Sequence, residues 1–106
     1  ELAPLIPTSL NAALRLDAAE ADALSPLSWP APAGKILDAI VGGDESAEYL
    51  RQSQAIVEAW AADGAETRYE ALPGANHFTV IAPLADPASP MVARLRDLAL
   101  RSNAHV

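Results

Sequence analysis

The sequence contains no cysteine, which removes disulfides, zinc–thiolate sites and a cysteine nucleophile together. Aromatic residues make up only 5% of the 106 residues while 51% are apolar, so alanine and leucine must fill whatever core forms. Basic residues are scarce: 7 Lys and Arg stand against 14 Asp and Glu, a formal net charge of −7. Such a surface repels phosphate backbones and anionic lipid, so neither nucleic acid nor membrane is expected as a partner. No apolar run reaches the length of about 18 residues that would span a bilayer. The opening Glu1-Leu2-Ala3-Pro4 has neither the basic start nor the apolar centre of a secretion signal, and a cytoplasmic protein is expected. It also lacks an initiator methionine, as in a processed or truncated chain. Only two histidines occur, His77 and His105. His105 lies in Asn103-Ala104-His105-Val106, which reads as a frayed end, and it is assigned no role.

What is present suits one small domain or a piece of a larger one. The chain is organised around Leu72-Pro73-Gly74-Ala75-Asn76-His77-Phe78. This turn follows the alternating segment Thr67 to Leu72, which reads as a half-buried strand. It precedes Phe78-Thr79-Val80-Ile81, an apolar run suited to the first turns of a helix. Proline cannot donate to a ladder and glycine tolerates unusual backbone angles, so Pro73 and Gly74 end the strand. His77 thereby falls on a loop at a strand end, where catalytic groups are commonly presented. The competing reading is a surface or structurally bonded histidine.

Residues 1–34 read as a helical and proline-rich connecting segment. Thr8 or Ser9 is placed to cap a helix through Asn11, Leu14 and Leu16, and Asp17 to cap Ala18 to Leu24 with Glu20 in its first turn. Ser25 to Gly34 holds three prolines and a glycine and reads as a connector. Trp29 within it is either a packing anchor or part of a pocket wall.

Residues 35–106 read as βαβα. Ile36 to Val41 is mostly apolar without alternation, as in a strand buried on both faces of a parallel sheet, with Asp38 in need of a partner. Ser46 caps the next helix, along which Tyr49, Ser53, Ile56, Val57 and Trp60 recur at helical spacing, and Asp63-Gly64 ends it. Ser89-Pro90 starts the last helix, with Met91, Val92, Leu95, Leu98 and Ala99 as its apolar stripe and Arg94, Arg96 and Asp97 outward. A strand–helix–strand unit makes its strands parallel. Open parallel sheets place chemistry at the carboxyl ends of their strands. An acid after the first strand, Asp44 or Glu45, can meet His77 after the second. A carboxylate on one imidazole nitrogen sets the tautomer and leaves the other nitrogen to take a proton. Adjacent acids before a helix can equally serve only the helix dipole. One histidine with nearby acids lacks metal-ligand spacing, so no metal is expected.

Val41-Gly42-Gly43-Asp44-Glu45-Ser46-Ala47-Glu48-Tyr49-Leu50-Arg51-Gln52-Ser53 resembles the acid loop of serine α/β-hydrolases, most closely the arylformamidase (kynurenine formamidase) and esterase/lipase branch. Pro73-Gly74-Ala75-Asn76-His77-Phe78 is similar to the histidine loop of that branch, and Asp86 to Pro90 to the approach to its last helix. Leu5 to Leu27 is similar to the segment before its acid-bearing strand. The resemblance covers nearly the whole chain. It implies the C-terminal part of an α/β-hydrolase fold, parallel strands with flanking helices, acting without cofactor. The triad acid then falls on Glu45, with Asp44 as the fallback, and the general base on His77. Most such hydrolases have aspartate at the acid position, but glutamate also occurs in the fold. Asn76 reads as a turn residue bracing the loop. The chain departs from the pattern in having no Gly-x-Ser-x-Gly elbow and no His-Gly-Gly oxyanion loop. In this fold the nucleophile comes first in chain order, so it is expected upstream of Glu1.

Two functions are therefore open. One is a serine hydrolase of a small ester or N-formyl aryl amide, whose partner is the N-terminal part carrying Gly-x-Ser-x-Gly. The other is a non-catalytic α/β interaction module, or an inactive fragment, stabilised by a partner chain or as a homo-oligomer.

Overall fold

In the computed structural model, residues 1–103 can be described; His105 lies outside them. Helix α1 (Asn11–Leu14) and helix α2 (Ala18–Leu24) precede strand β1 (Ile36–Gly42). Helix α3 (Ala47–Ala62), strand β2 (Glu66–Leu72) and helix α4 (Pro90–Asn103) follow, with short 3-10 turns before α1 (Ala3–Leu5), between α2 and β1 (Pro26–Ser28) and between β2 and α4 (Ala82–Ala85). β1 and β2 form a two-stranded parallel sheet, and the architecture is mixed α/β with flanking helices. Among the described residues no helix is long and apolar enough to cross a membrane. Residues 1–39 with 51–69 form one compact unit, and residues 40–50 with 70–106 a second.

In the first unit, the Asp17 carboxylate accepts from the Glu20 amide at 2.8 Å, the expected cap, worth about 1 kcal/mol. The helix expected through Leu16 stops at Leu14 instead. Arg15 takes a left-handed conformation, φ 55°. The Asn11 side chain bonds both backbone groups of Leu16, at 2.7 and 3.1 Å, which fixes a turn where helix would continue. Neither Thr8 nor Ser9 caps it. Leu10 occupies the N-cap position, and Thr8 Oγ1 donates to the Leu5 carbonyl.

Other polar groups of this unit tie chain segments together. Ser25 is buried, accepting from the Leu2 amide and donating to the Ala21 carbonyl. Trp29 is 47% exposed, and its indole N–H donates to Ala23 O, so it anchors the connector by a hydrogen bond more than by burial. Trp60 donates to Pro26 O and Asp63 accepts from the Ala31 amide. Asp38, the discordant acid of β1, finds Arg68 of β2 at 3.7 Å.

The second unit holds the carboxyl ends of both strands and the start of α3. Val41 and Gly42 are buried, whereas the rest of β1 is only half-buried. The expectation of a strand covered on both faces is thus met only at its end, because the described residues supply too few layers to cover the remainder. Ala21 and Val41 are the only buried hydrophobic residues among those described. The helix expected to begin at Phe78 is a series of turns and a 3-10 segment over Ala82–Ala85. Pro83 lacks the amide that would donate to the Thr79 carbonyl and carry the helix on.

α4 begins as expected. Ser89 Oγ accepts from the Val92 amide at 3.2 Å and donates to Pro83 O at 2.7 Å. Its apolar stripe is only partly covered: Met91, Val92 and Leu98 are half-buried, while Leu95 is exposed. Arg94 is half-buried and pairs with the exposed Asp97 at 2.9 Å.

Candidate active site

The two loops expected to carry chemistry both lie in the second unit, after the ends of β1 and β2. The Gly43 amide donates to Leu72 O at 2.7 Å, and the Asp44 amide to Ala75 O at 2.9 Å. These bonds bring the acid loop against the histidine loop with almost no space between backbones. A Cβ built on Gly42 would lie 2.8 Å from the Ala75 carbonyl carbon and 3.0 Å from Asn76 O, and one on Gly43 would lie 2.9 Å from Leu72 O. The double glycine is therefore a steric condition of the approach, since none of those backbone atoms can swing aside.

That approach selects one of the two acids. Asp44 is exposed and meets the histidine loop through its backbone amide. Glu45 turns inward: its side chain is only 4% exposed. Its Oε2 accepts from the Gly42 amide at 2.6 Å and its Oε1 lies 2.8 Å from His77 Nδ1. The Gly42 amide is the main reason that the Glu45 carboxyl is held below its ordinary value, and the His77 hydrogen bond adds to it. Both contacts favour the charged form.

The histidine loop is braced from within. Gly74, at φ 73°, takes a left-handed conformation that a side chain would strain, and the Ala75 amide returns to Leu72 O. Asn76 Oδ1 then accepts from the amides of Phe78 and Thr79 at 2.9 and 3.0 Å, while the Asn76 amide donates to Thr79 Oγ1 at 2.9 Å. This reciprocal pattern opens a single turn and carries His77 at its start. Asn76 is thus the brace that its turn chemistry indicated.

An ionised carboxylate can only accept hydrogen bonds. With Glu45 ionised, Nδ1 must carry the proton and donate it, which leaves Nε2 with the free lone pair. The His77 side chain is 61% exposed, so most of the ring is open. Two aromatic rings flank it. Tyr49 stacks on the imidazole with centroids 5.1 Å apart and planes at 29°, and Phe78 meets it edge-on at 5.8 Å and 80°.

Tyr49 is the site residue that sequence reasoning missed. Its helical spacing placed it in the apolar stripe of α3, yet it is 53% exposed. The available signal was its position: four residues after Glu45, in the first turn of the helix that the acid loop enters. The arrangement can hold a proton on one imidazole nitrogen and accept another on the second.

Four of the serines are otherwise engaged. Ser46 caps α3 by accepting from the Tyr49 amide, Ser28 donates to Asp22, and Ser25 and Ser89 are buried and bonded. No group of three or more His, Asp or Glu side chains able to hold a metal ion occurs among the described residues.

No protein-family model matches the chain, and neither a curated protein nor a solved structure matches it significantly.

Proposed function

We propose that this chain supplies the acid and the general base of a serine hydrolase, Glu45 and His77, to a nucleophilic serine carried on a segment that precedes Glu1 in the encoded protein. The observation that carries the reading is the polarity of the pair. A buried, doubly bonded carboxylate faces a largely open imidazole across 2.8 Å, which orients the ring and leaves its other nitrogen for chemistry. A second observation supports a covering segment: Phe78 is 86%, Ile81 64% and Leu84 46% exposed, an apolar run beside the base that water covers poorly.

In this mechanism the upstream serine hydroxyl gives its proton to His77 Nε2 as its oxygen bonds to the carbonyl carbon of a small ester or N-formyl aryl amide. Glu45 stabilises the imidazolium so formed. The imidazolium returns the proton to the leaving alcohol or amine, and an acyl-enzyme remains. Water, deprotonated by the same nitrogen, then releases the acid and restores the serine. No cofactor enters the cycle.

The test is intact mass spectrometry of the complete gene product with a fluorophosphonate probe, which labels activated serines. The reading requires one adduct on a serine upstream of Glu1, lost in His77→Ala. An unlabelled protein, or labelling indifferent to His77, sinks it.

A further inference from the structure

We propose that Tyr49 is a positioning residue for His77, setting the plane of the imidazole and so the direction in which Nε2 points; this rests on the reading of His77 as general base. A hydrogen bond from Nδ1 to Glu45 fixes one distance, and the two side-chain torsions of His77 can still change together to tilt the ring plane. A second contact, on the face, removes that freedom. The Tyr49 ring supplies it at 5.1 Å and 29°, within the range at which aromatic rings attract. Phe78 also touches the imidazole, but edge-on and from the histidine's own loop, so it moves with the group it would hold.

Tyr49 is anchored elsewhere. Its amide donates to Ser46 Oγ at 3.3 Å, which sets it in the first turn of α3, next to the loop that presents Glu45. Acid and tyrosine therefore reach the imidazole from one stretch of backbone, one at its edge and one at its face. Burial does not account for the residue, since Tyr49 is more than half exposed. The tyrosine face has a further consequence. A ring face attracts a cation within about 6 Å of its centre, so the imidazolium that forms when His77 accepts a proton sits where Tyr49 stabilises it. The contact is thus stronger in the charged intermediate than in the resting site, which is the condition for lowering a barrier.

The experiment compares Tyr49→Leu and Tyr49→Phe in the complete gene product. With an ester substrate, Tyr49→Leu is expected to lower kcat by about tenfold or more while KM stays within about twofold, as for a misplaced base. Tyr49→Phe, which keeps the ring face, restores most of the loss. In NMR spectra, Tyr49→Leu lets the His77 side-chain torsions average over several rotamers and removes the ring-current displacement of the imidazole protons, whereas Tyr49→Phe keeps both. A raised KM with unchanged kcat overturns the proposal, because Tyr49 would then touch substrate. So does a Tyr49→Phe variant as slow as Tyr49→Leu, or a His77 torsion that stays single-valued in Tyr49→Leu. The NMR arm needs no turnover: an inactive protein whose His77 still loosens in Tyr49→Leu sinks the hydrolase reading and upholds the positioning contact.

Discussion

Gly42 donates its backbone amide to Glu45 Oε2 at 2.6 Å, so the last residue of β1 holds the acid that reaches His77. The strand end, the turn and the candidate base are thereby one hydrogen-bonded chain. Changes at any link have separate and measurable consequences.

The first concerns pH. The Glu45 carboxyl is held below its ordinary value of 4.5 by the Gly42 amide and then by His77. A lowered folded-state value means that the unfolded chain binds more protons in the intervening range. The stabilisation is therefore fully present above the ordinary value and is lost as pH falls through the depressed one. Urea midpoints of the wild type and Glu45→Gln, measured from pH 7 to pH 3, should differ at the neutral end and converge at the acid end. A gap that is constant over the range would refute the linkage.

The second concerns the double glycine. Gly42→Ala sets a methyl group against the Ala75 carbonyl carbon at 2.8 Å, and overpacking of this kind costs about 1–3 kcal/mol. Gly74→Ala meets nothing within 4 Å and is strained only by its φ of 73°, at a cost of about 1 kcal/mol. Both should lower the melting temperature. Only Gly42→Ala should also separate His77 from Glu45, read as loss of the hydrogen-bonded Nδ1 proton signal in NMR spectra.

The third concerns the choice of acid under the proposed mechanism. Glu45→Gln replaces an obligate acceptor by a group that can also donate, which permits the wrong imidazole tautomer, and kcat should fall by about 10³- to 10⁴-fold. Asp44→Asn alters an exposed carboxylate and should stay within about threefold of wild type. The reverse order of effects would move the triad acid to Asp44.

The fourth concerns the two helix caps. Ser89→Ala removes a buried hydroxyl that both accepts from the Val92 amide and donates to Pro83 O, which keeps only its bond from the Asp86 amide, so a cost of about 2 kcal/mol is expected. Asp17→Ala removes an exposed cap and should cost about 1 kcal/mol. Denaturation midpoints of the two variants check the order.

Much of the fold was legible along the chain. Asp17 capping α2, Ser46 entering α3, Gly64 leaving it at φ 91° and Ser89-Pro90 opening α4 all stand where local chemistry put them. Each of these signals acts within one turn of backbone. The two helix expectations that failed did so through contacts periodicity does not register. Asn11 wraps its amide around Leu16, and Pro83 removes a donor ahead of the Phe78 segment.

The candidate site divides in the same way. Sequence by itself determined that an acid-bearing turn and a histidine-bearing turn follow two strands joined by a helix. Strand and helix periods are local, and a parallel pair puts both turns at one edge. Only the tertiary structure decided that Glu45 turns inward while Asp44 stays in solvent. Adjacent side chains on a turn diverge according to backbone angles, and here those angles answer to the Leu72 and Ala75 carbonyls, far along the chain. The same holds for Tyr49, which helical spacing assigns to a stripe and which only the arrival of the histidine loop places against the imidazole.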